Sequence, residues 1–263
     1  MRFAVNCSIL FTELPLLERP AAAAAAGFDA VEFWWPFPDA VPSDADVEAF
    51  AAAIEAAGVQ LTGLNLAAGD MPGGDRGLLS WPGRENELRG SIDIAAALGK
   101  RLGTEVFNAL YGNRIDGVDP RDQDELALRN LDRAAALLPG TVVLEPLSGV
   151  ERYPLKTAAD ALAVADRVGV AGNGAVALLA DLYHLAVNGD DVAAVIAEHC
   201  GRIGHVQIAD VPGRHEPGTG QLPIADHLAA LERGGYAGPV GLEYVPSTTS
   251  DRAFDWLTRE NLS

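Results

Sequence analysis

Short apolar runs bounded by glycine or proline alternate along the chain with longer segments in which alanine and leucine recur at helical spacing. That alternation is the signature of repeated βα units on a parallel sheet, and eight units can be counted. Strands are predicted at residues 3–6, 30–33, 61–64, 101–106, 141–144, 176–180, 203–208 and 240–242. Between them the periodicity predicts helices at 47–57, 85–98, 124–138, 158–168, 192–199 and 225–233. The first helix is less regular. Pro15 suits a helix start whereas Pro20 would disrupt an interior, so the helix either kinks or begins at Pro20. An eighth helix is expected to start near Thr248.

Eight such units predict an α/β fold, a (β/α)8 TIM barrel that takes up residues 1–263 as one domain. The 263 residues are 49% hydrophobic, enough to fill a core of that size without disulfides or metal staples. Two connections, 67–82 and 209–223, are longer than the others, and long loops in a compact fold are commonly functional. An open dinucleotide-binding sheet would place a glycine fingerprint after the first strand, and none is there.

Lysine plus arginine total 19 against 37 acidic residues, a formal charge of −18 that repels phosphate backbones and anionic lipid. No nucleic acid and no membrane partner is therefore expected. Asn6, Glu13 and Glu18 interrupt the apolar N-terminal stretch, which reads as a first strand rather than a signal peptide. With only Cys7 and Cys200 there is no disulfide framework, and a cytoplasmic location is expected; whether the chain forms a homo-oligomer is left open.

In a parallel barrel, functional groups gather at the carboxyl ends of the strands. Strand five ends VVLEP with Glu145, strand six ends in Asp181, strand seven carries Gln207 in HVQIAD, and strand eight ends VGLEY with Glu243. Each interval spans about one βα unit, so adjacent strands deliver one side chain apiece to a common point. Three carboxylates that close raise one another's pKa unless a cation neutralises them, and an all-oxygen set suits one divalent ion, Mg2+ or Mn2+, better than zinc.

Other residues fall around that point. His184, three residues past Asp181, reaches the same pocket, and Glu151, on the loop after Glu145, reads either as a ligand for a substrate hydroxyl or as an exposed loop carboxylate. Lysine is nearly absent, so Arg76 and Arg214 in the two long loops are the candidates to meet a substrate carboxylate. Asn65 and Asn108 line the mouth, with Trp34 and Trp35 as walls or ordinary rim packing. His205 shares the barrel interior and reads best as a packed, hydrogen-bonded histidine.

The segments FAVNCSILFTELP, GFDAVEFWWPF, NLAAGDMPGGDRG, PGREN, LEPLS, DLYH, HVQIAD, GRHEPGTG and GLEY run nearly end to end, and on them the chain resembles the hydroxypyruvate isomerase family of the xylose isomerase-like barrels. The resemblance implies a metal held by Glu145, Asp181, Gln207 and Glu243, with Glu145 and Glu243 also placed to move protons. Related ketose epimerases have substrate-binding groups where Glu151 and His184 stand. Gln221 and Leu64 depart from a glutamate and a histidine in the family pattern, which bears on substrate choice more than on metal binding.

The expected substrate is thus a small anionic hydroxy-oxo acid. A 2-oxo-tetronate isomerase and a ketose 3-epimerase are the nearest alternatives, and a lyase dehydrating inositol derivatives shares the fold. An endonuclease of the related barrel type would need more histidine ligands and a basic groove, which five histidines and the acidic charge oppose. From another class, a non-catalytic metabolite-binding barrel would have no reason to keep four ligands in register.

Overall fold

The computed structural model describes residues 1–168 and 176–257. Eight parallel strands, β1 (Phe3–Asn6), β2 (Ala30–Phe33), β3 (Gln60–Asn65), β4 (Val106–Asn108), β5 (Thr141–Leu144), β6 (Val176–Asp181), β7 (Ile203–Ile208) and β8 (Val240–Leu242), close in sequence order. β8 pairs with β1 through Phe3–Val240 and Val5–Leu242. Around the barrel lie α1 (Arg19–Ala25), α2 (Asp44–Ala57), α3 (Glu85–Leu102), α4 (Pro120–Leu137), α5 (Ala158–Ala165), α6 (Leu182–Asn188), α7 (Val192–His199) and α8 (Ile224–Arg233). Among the described residues no helix is long and apolar enough to cross a membrane.

The helix ends follow local chemistry. Ser43 caps α2 by accepting from the Asp46 amide, and Thr157 with Asp160 forms a capping box on α5. Pro120 opens α4 behind the Asp119 cap. At Pro20 the chain takes the second of the two expected routes: a 3-10 turn (Leu16–Glu18) leads into α1, and Pro20 sits in its first turn without kinking it.

The structure departs from the predicted elements at three places. The fourth strand is Val106–Asn108 rather than 101–106, because α3 runs on to Leu102 and ends at Gly103, whose φ of 69° only glycine adopts cheaply. Arg101 therefore lies on a helix, where it pairs with Glu48 and Glu55 of α2. The sequence reading contained no separate α6, which starts directly from Asp181. In place of a helix from Thr248 there is a 3-10 turn at Arg252–Phe254; residues 258–263 fall outside those described.

The main apolar core fills the space between sheet and helices. Inside the barrel the apolar filling is one small cluster, Val106, Val143 and Leu179. Beside it lie polar groups: Asn6, Glu32, His205 and Gln207 surround a small void together with Val106, Leu179, Phe33 and Leu64. A barrel that gives up apolar packing for buried polar groups incurs a free-energy cost, so their hydrogen bonds must be complete or serve a site.

Candidate active site

Strand geometry alone delivers the four predicted ligands. Glu145 follows β5, Asp181 ends β6, Gln207 lies in β7 directly opposite Asp181, and Glu243 follows β8. All four are buried, with 1–4% of their surface exposed. Glu145, Glu243, His184 and Arg214 form part of the wall of a cavity of about 1000 Å3, and Asp181 and Gln207 lie outside that wall.

Each side chain is held by named partners. Asn108 Nδ2 donates to Glu145 Oε2 at 2.7 Å. Asp181 Oδ1 caps α6 by accepting from the amides of Tyr183 (2.8 Å) and His184 (3.3 Å), which fixes the carboxylate and leaves Oδ2 buried with no hydrogen-bond partner. Gln207 Nε2 donates to Glu243 Oε2 (2.5 Å) and Glu32 Oε1 (2.7 Å), so its Oε1 is likewise buried and unpartnered. Asn6 Nδ2 donates to the same two carboxylates.

Burial, with Asp181 adding its charge, pushes the Glu145 carboxyl up to about 8. Burial also holds Glu243 well above the usual carboxylate range, although Arg214 pulls the other way. Arg214 Nη2 lies 2.5 Å from Glu243 Oε1 and 3.5 Å from Asp181 Oδ2. His184 is pushed down to about 4 by burial, so its ring is neutral at pH 7. The Ser148 amide donates to His184 Nδ1 at 3.1 Å, which puts the ring proton on Nε2, 3.8 Å from Glu145 Oε1 and 3.7 Å from Asp181 Oδ2.

A divalent cation fits this donor set. Oxygen donors and ligand atoms of Glu145 and Asp181 that approach within 4.8 Å, two buried acceptors without a donor and carboxylates that resist ionisation all describe a place where a hard cation relieves a local cost. His184 belongs to the same close group, but its Nδ1 lone pair is taken by Ser148 and its Nε2 carries hydrogen, so it donates rather than coordinates.

Of the other predicted residues, Asn65, at the end of β3, and Arg76 line the cavity. Arg76 Nη1 donates to the carbonyls of Met71 and Asp75 and, among the described residues, has no carboxylate within 4 Å, so its charge remains available. Trp34 and Trp35 are wall residues. Glu151 is not brought in: it is exposed, and the wall on its loop is made by Leu147, Ser148, Gly149 and Val150. Sequence reasoning did not single out Glu32 or Ser148. The signal for Glu32 was a lone acid inside the apolar strand AVEF, on the barrel's buried layer.

The family described as xylose isomerase-like TIM barrel matches residues 20–260. A Streptomyces coelicolor protein whose name as a hydroxypyruvate isomerase is provisional is 56% identical over 97% of this chain and 95% of its own length. The hydroxypyruvate isomerase of Escherichia coli K12 is 32% identical over 98% of both chains, and the 2-oxo-tetronate isomerase of Cupriavidus necator is 34% identical over 97% of both. Among solved structures, one titled AP endonuclease, family 2, from Brucella melitensis is 35% identical with a TM-score of 0.86, covering 97% of each chain. The closed eight-stranded barrel, the near end-to-end match and relatives named as isomerases agree: this chain belongs to the xylose isomerase-like TIM barrel family, among its isomerases.

Proposed function

We propose that the chain interconverts hydroxypyruvate and 2-hydroxy-3-oxopropanoate by proton transfer through an enediolate, with Glu145 and Glu243 as the proton-transfer groups. The observation that carries this reading is the placement of these two buried carboxylates, from β5 and β8, in the wall of one cavity that also presents Arg214. The names of the relatives support the substrate class.

Glu145, Asp181, Gln207 and Glu243 would hold one Mg2+ or Mn2+, which when bound supplies Lewis-acid stabilisation of negative charge developing on the substrate oxygens. Glu145 Oε1 has no hydrogen-bond donor among the described residues, while both oxygens of Glu243 are engaged. Glu145 therefore has the free oxygen and takes the C3 proton of hydroxypyruvate; the pair of electrons released becomes the C2–C3 double bond of the enediolate. Glu243, or Glu145 again, returns a proton to C2, while the hydroxyl proton of the C3 oxygen passes to the C2 oxygen, which leaves an aldehyde at C3 and a hydroxyl at C2. His184 Nε2–H donates to a substrate oxygen, and Arg214 and Arg76 take the carboxylate.

The cavity of about 1000 Å3 is larger than a three-carbon acid fills, which favours a second reading in which a 2-oxo-tetronate is the preferred substrate of the same chemistry. Turnover of hydroxypyruvate, 2-oxo-tetronates and neutral ketoses by the purified protein, with and without Mn2+, separates the two. In deuterated water, exchange on the abstracting carboxyl should carry deuterium into the product; label-free product together with active Glu145→Gln and Glu243→Gln variants would show a hydride shift and remove the base role.

A further inference from the structure

Glu32 is 2% exposed in the middle of β2, and among the described residues no lysine or arginine nitrogen lies within 4 Å of its carboxylate. Its carboxylate accepts three hydrogen bonds inside the barrel: from Asn6 Nδ2 at 2.9 Å and Gln207 Nε2 at 2.7 Å on Oε1, and from His205 Nε2 at 2.6 Å on Oε2. The neighbouring strands leave room for it. A Cβ at Gly241 would meet the two carboxylate oxygens at 2.5 and 2.6 Å, and one at Gly63 would lie 3.2 Å from the Glu32 Cβ. A buried carboxylate without lysine or arginine is costly, and a chain that clears two side chains to house one is using it.

A carboxylate accepts and never donates, so Gln207 must turn its Nε2 toward Glu32. That orientation is what leaves Gln207 Oε1 bare, and oxygen, unlike an amide nitrogen, is a metal ligand. Asn6, held by the same Glu32 oxygen, is fixed while it donates to Glu243.

We propose that Glu32 is a positioning residue that locks the Gln207 amide with its oxygen free for the divalent cation, an inference resting on the metal site proposed above. Outer partners of this kind typically contribute about 10–100-fold in metal affinity.

The test is calorimetric Mn2+ titration of the metal-stripped full chain for wild type, Glu32→Ala, Gln207→Ala and the double variant, with circular dichroism confirming the fold. Glu32→Ala is expected to weaken Mn2+ binding about 10–100-fold in the wild-type background and to have little effect once Gln207 is gone. Glu32→Gln should largely restore binding, because its oxygen can serve Asn6 and Gln207 while His205, whose Nδ1 has no partner, can change tautomer to accept from the amide. Unchanged affinity in Glu32→Ala, or additive effects of the two alanine variants, would overturn the role of Glu32 alone. Absence of Mn2+ binding by the wild type would overturn the metal site, and this inference with it. If Glu32→Ala does not fold, Glu32→Leu, which fills the lumen, replaces it in the same cycle.

Discussion

Arg214 Nη2 stands 2.5 Å from Glu243 Oε1 and 3.5 Å from Asp181 Oδ2, so a guanidinium sits against two of the carboxylates assigned to the metal. It reaches there from a backbone φ of 58°, with its guanidinium 5.5 Å from the Tyr183 ring centre. Replacing it with alanine leaves buried carboxylates without their arginine, and breaking a buried pair costs about 3–5 kcal/mol. The melting temperature of Arg214→Ala should fall in the metal-free protein and recover with Mn2+. Its KM for hydroxypyruvate should rise far more than for a neutral ketose; equal rises would remove Arg214 from carboxylate binding.

Uptake of the cation should release a proton. The Glu145 carboxyl sits at about 8 in the metal-free fold, so it is mostly protonated at pH 7 and must ionise to become a ligand. Glu243, which burial also holds up, adds to the release, so apparent Mn2+ affinity should climb with pH from 6 through 8, and calorimetry in buffers of different ionisation enthalpy should count the protons released. A flat profile would show that Glu145 is already ionised or is no ligand.

Glutamine at position 145 keeps an oxygen for the metal and removes the base. We expect kcat to fall by roughly 10²–10⁴ with Mn2+ occupancy largely kept, measured by steady-state kinetics and elemental analysis. Glu243→Gln should do the same if that residue returns the proton, and a near-normal kcat would leave Glu243 as a ligand only.

Asp210 organises the loop that carries Arg214. Its carboxylate accepts from the amides of Val211, Gly218, Gly220 and Leu222, and although burial pushes the other way these bonds hold it below the ordinary range. A depressed folded pKa means stability that is present above the unfolded value, near 4, and is lost as pH falls through the folded one. Asp210→Ala should cost about 2–3 kcal/mol at pH 7 and raise KM by displacing Arg214. The deficit in melting temperature should shrink on acidification below pH 4.

Seven of the eight strands and the four converging residues were legible because both follow from strictly local rules: period, punctuation, and which residue ends a strand. Strand four was misplaced because Lys100 and Arg101 in an alanine-rich stretch do not announce whether the helix has ended, and only Gly103 sets its stop. Glu151 looked equivalent to His184 by loop position, yet it lies exposed on the turn between Ser148 and Tyr153, whose buried hydroxyl donates to the Glu145 carbonyl. Glu32 escaped notice because one acid in a strand has meaning only once the nearby strands β3 and β8 show glycine beside it.

The hydrogen bond from Asn6 to Glu243 joins residues 237 positions apart, across the seam where the first and last strands meet. This centre is thus built over the barrel's closing joint, and contacts so distant in sequence form only after most of the chain has been threaded into place. Activity regained on refolding should follow the slowest structural phase, and no fragment ending before β8 should show partial turnover. The order in which the ribosome delivers the strands makes the catalyst complete only when its last strand is home.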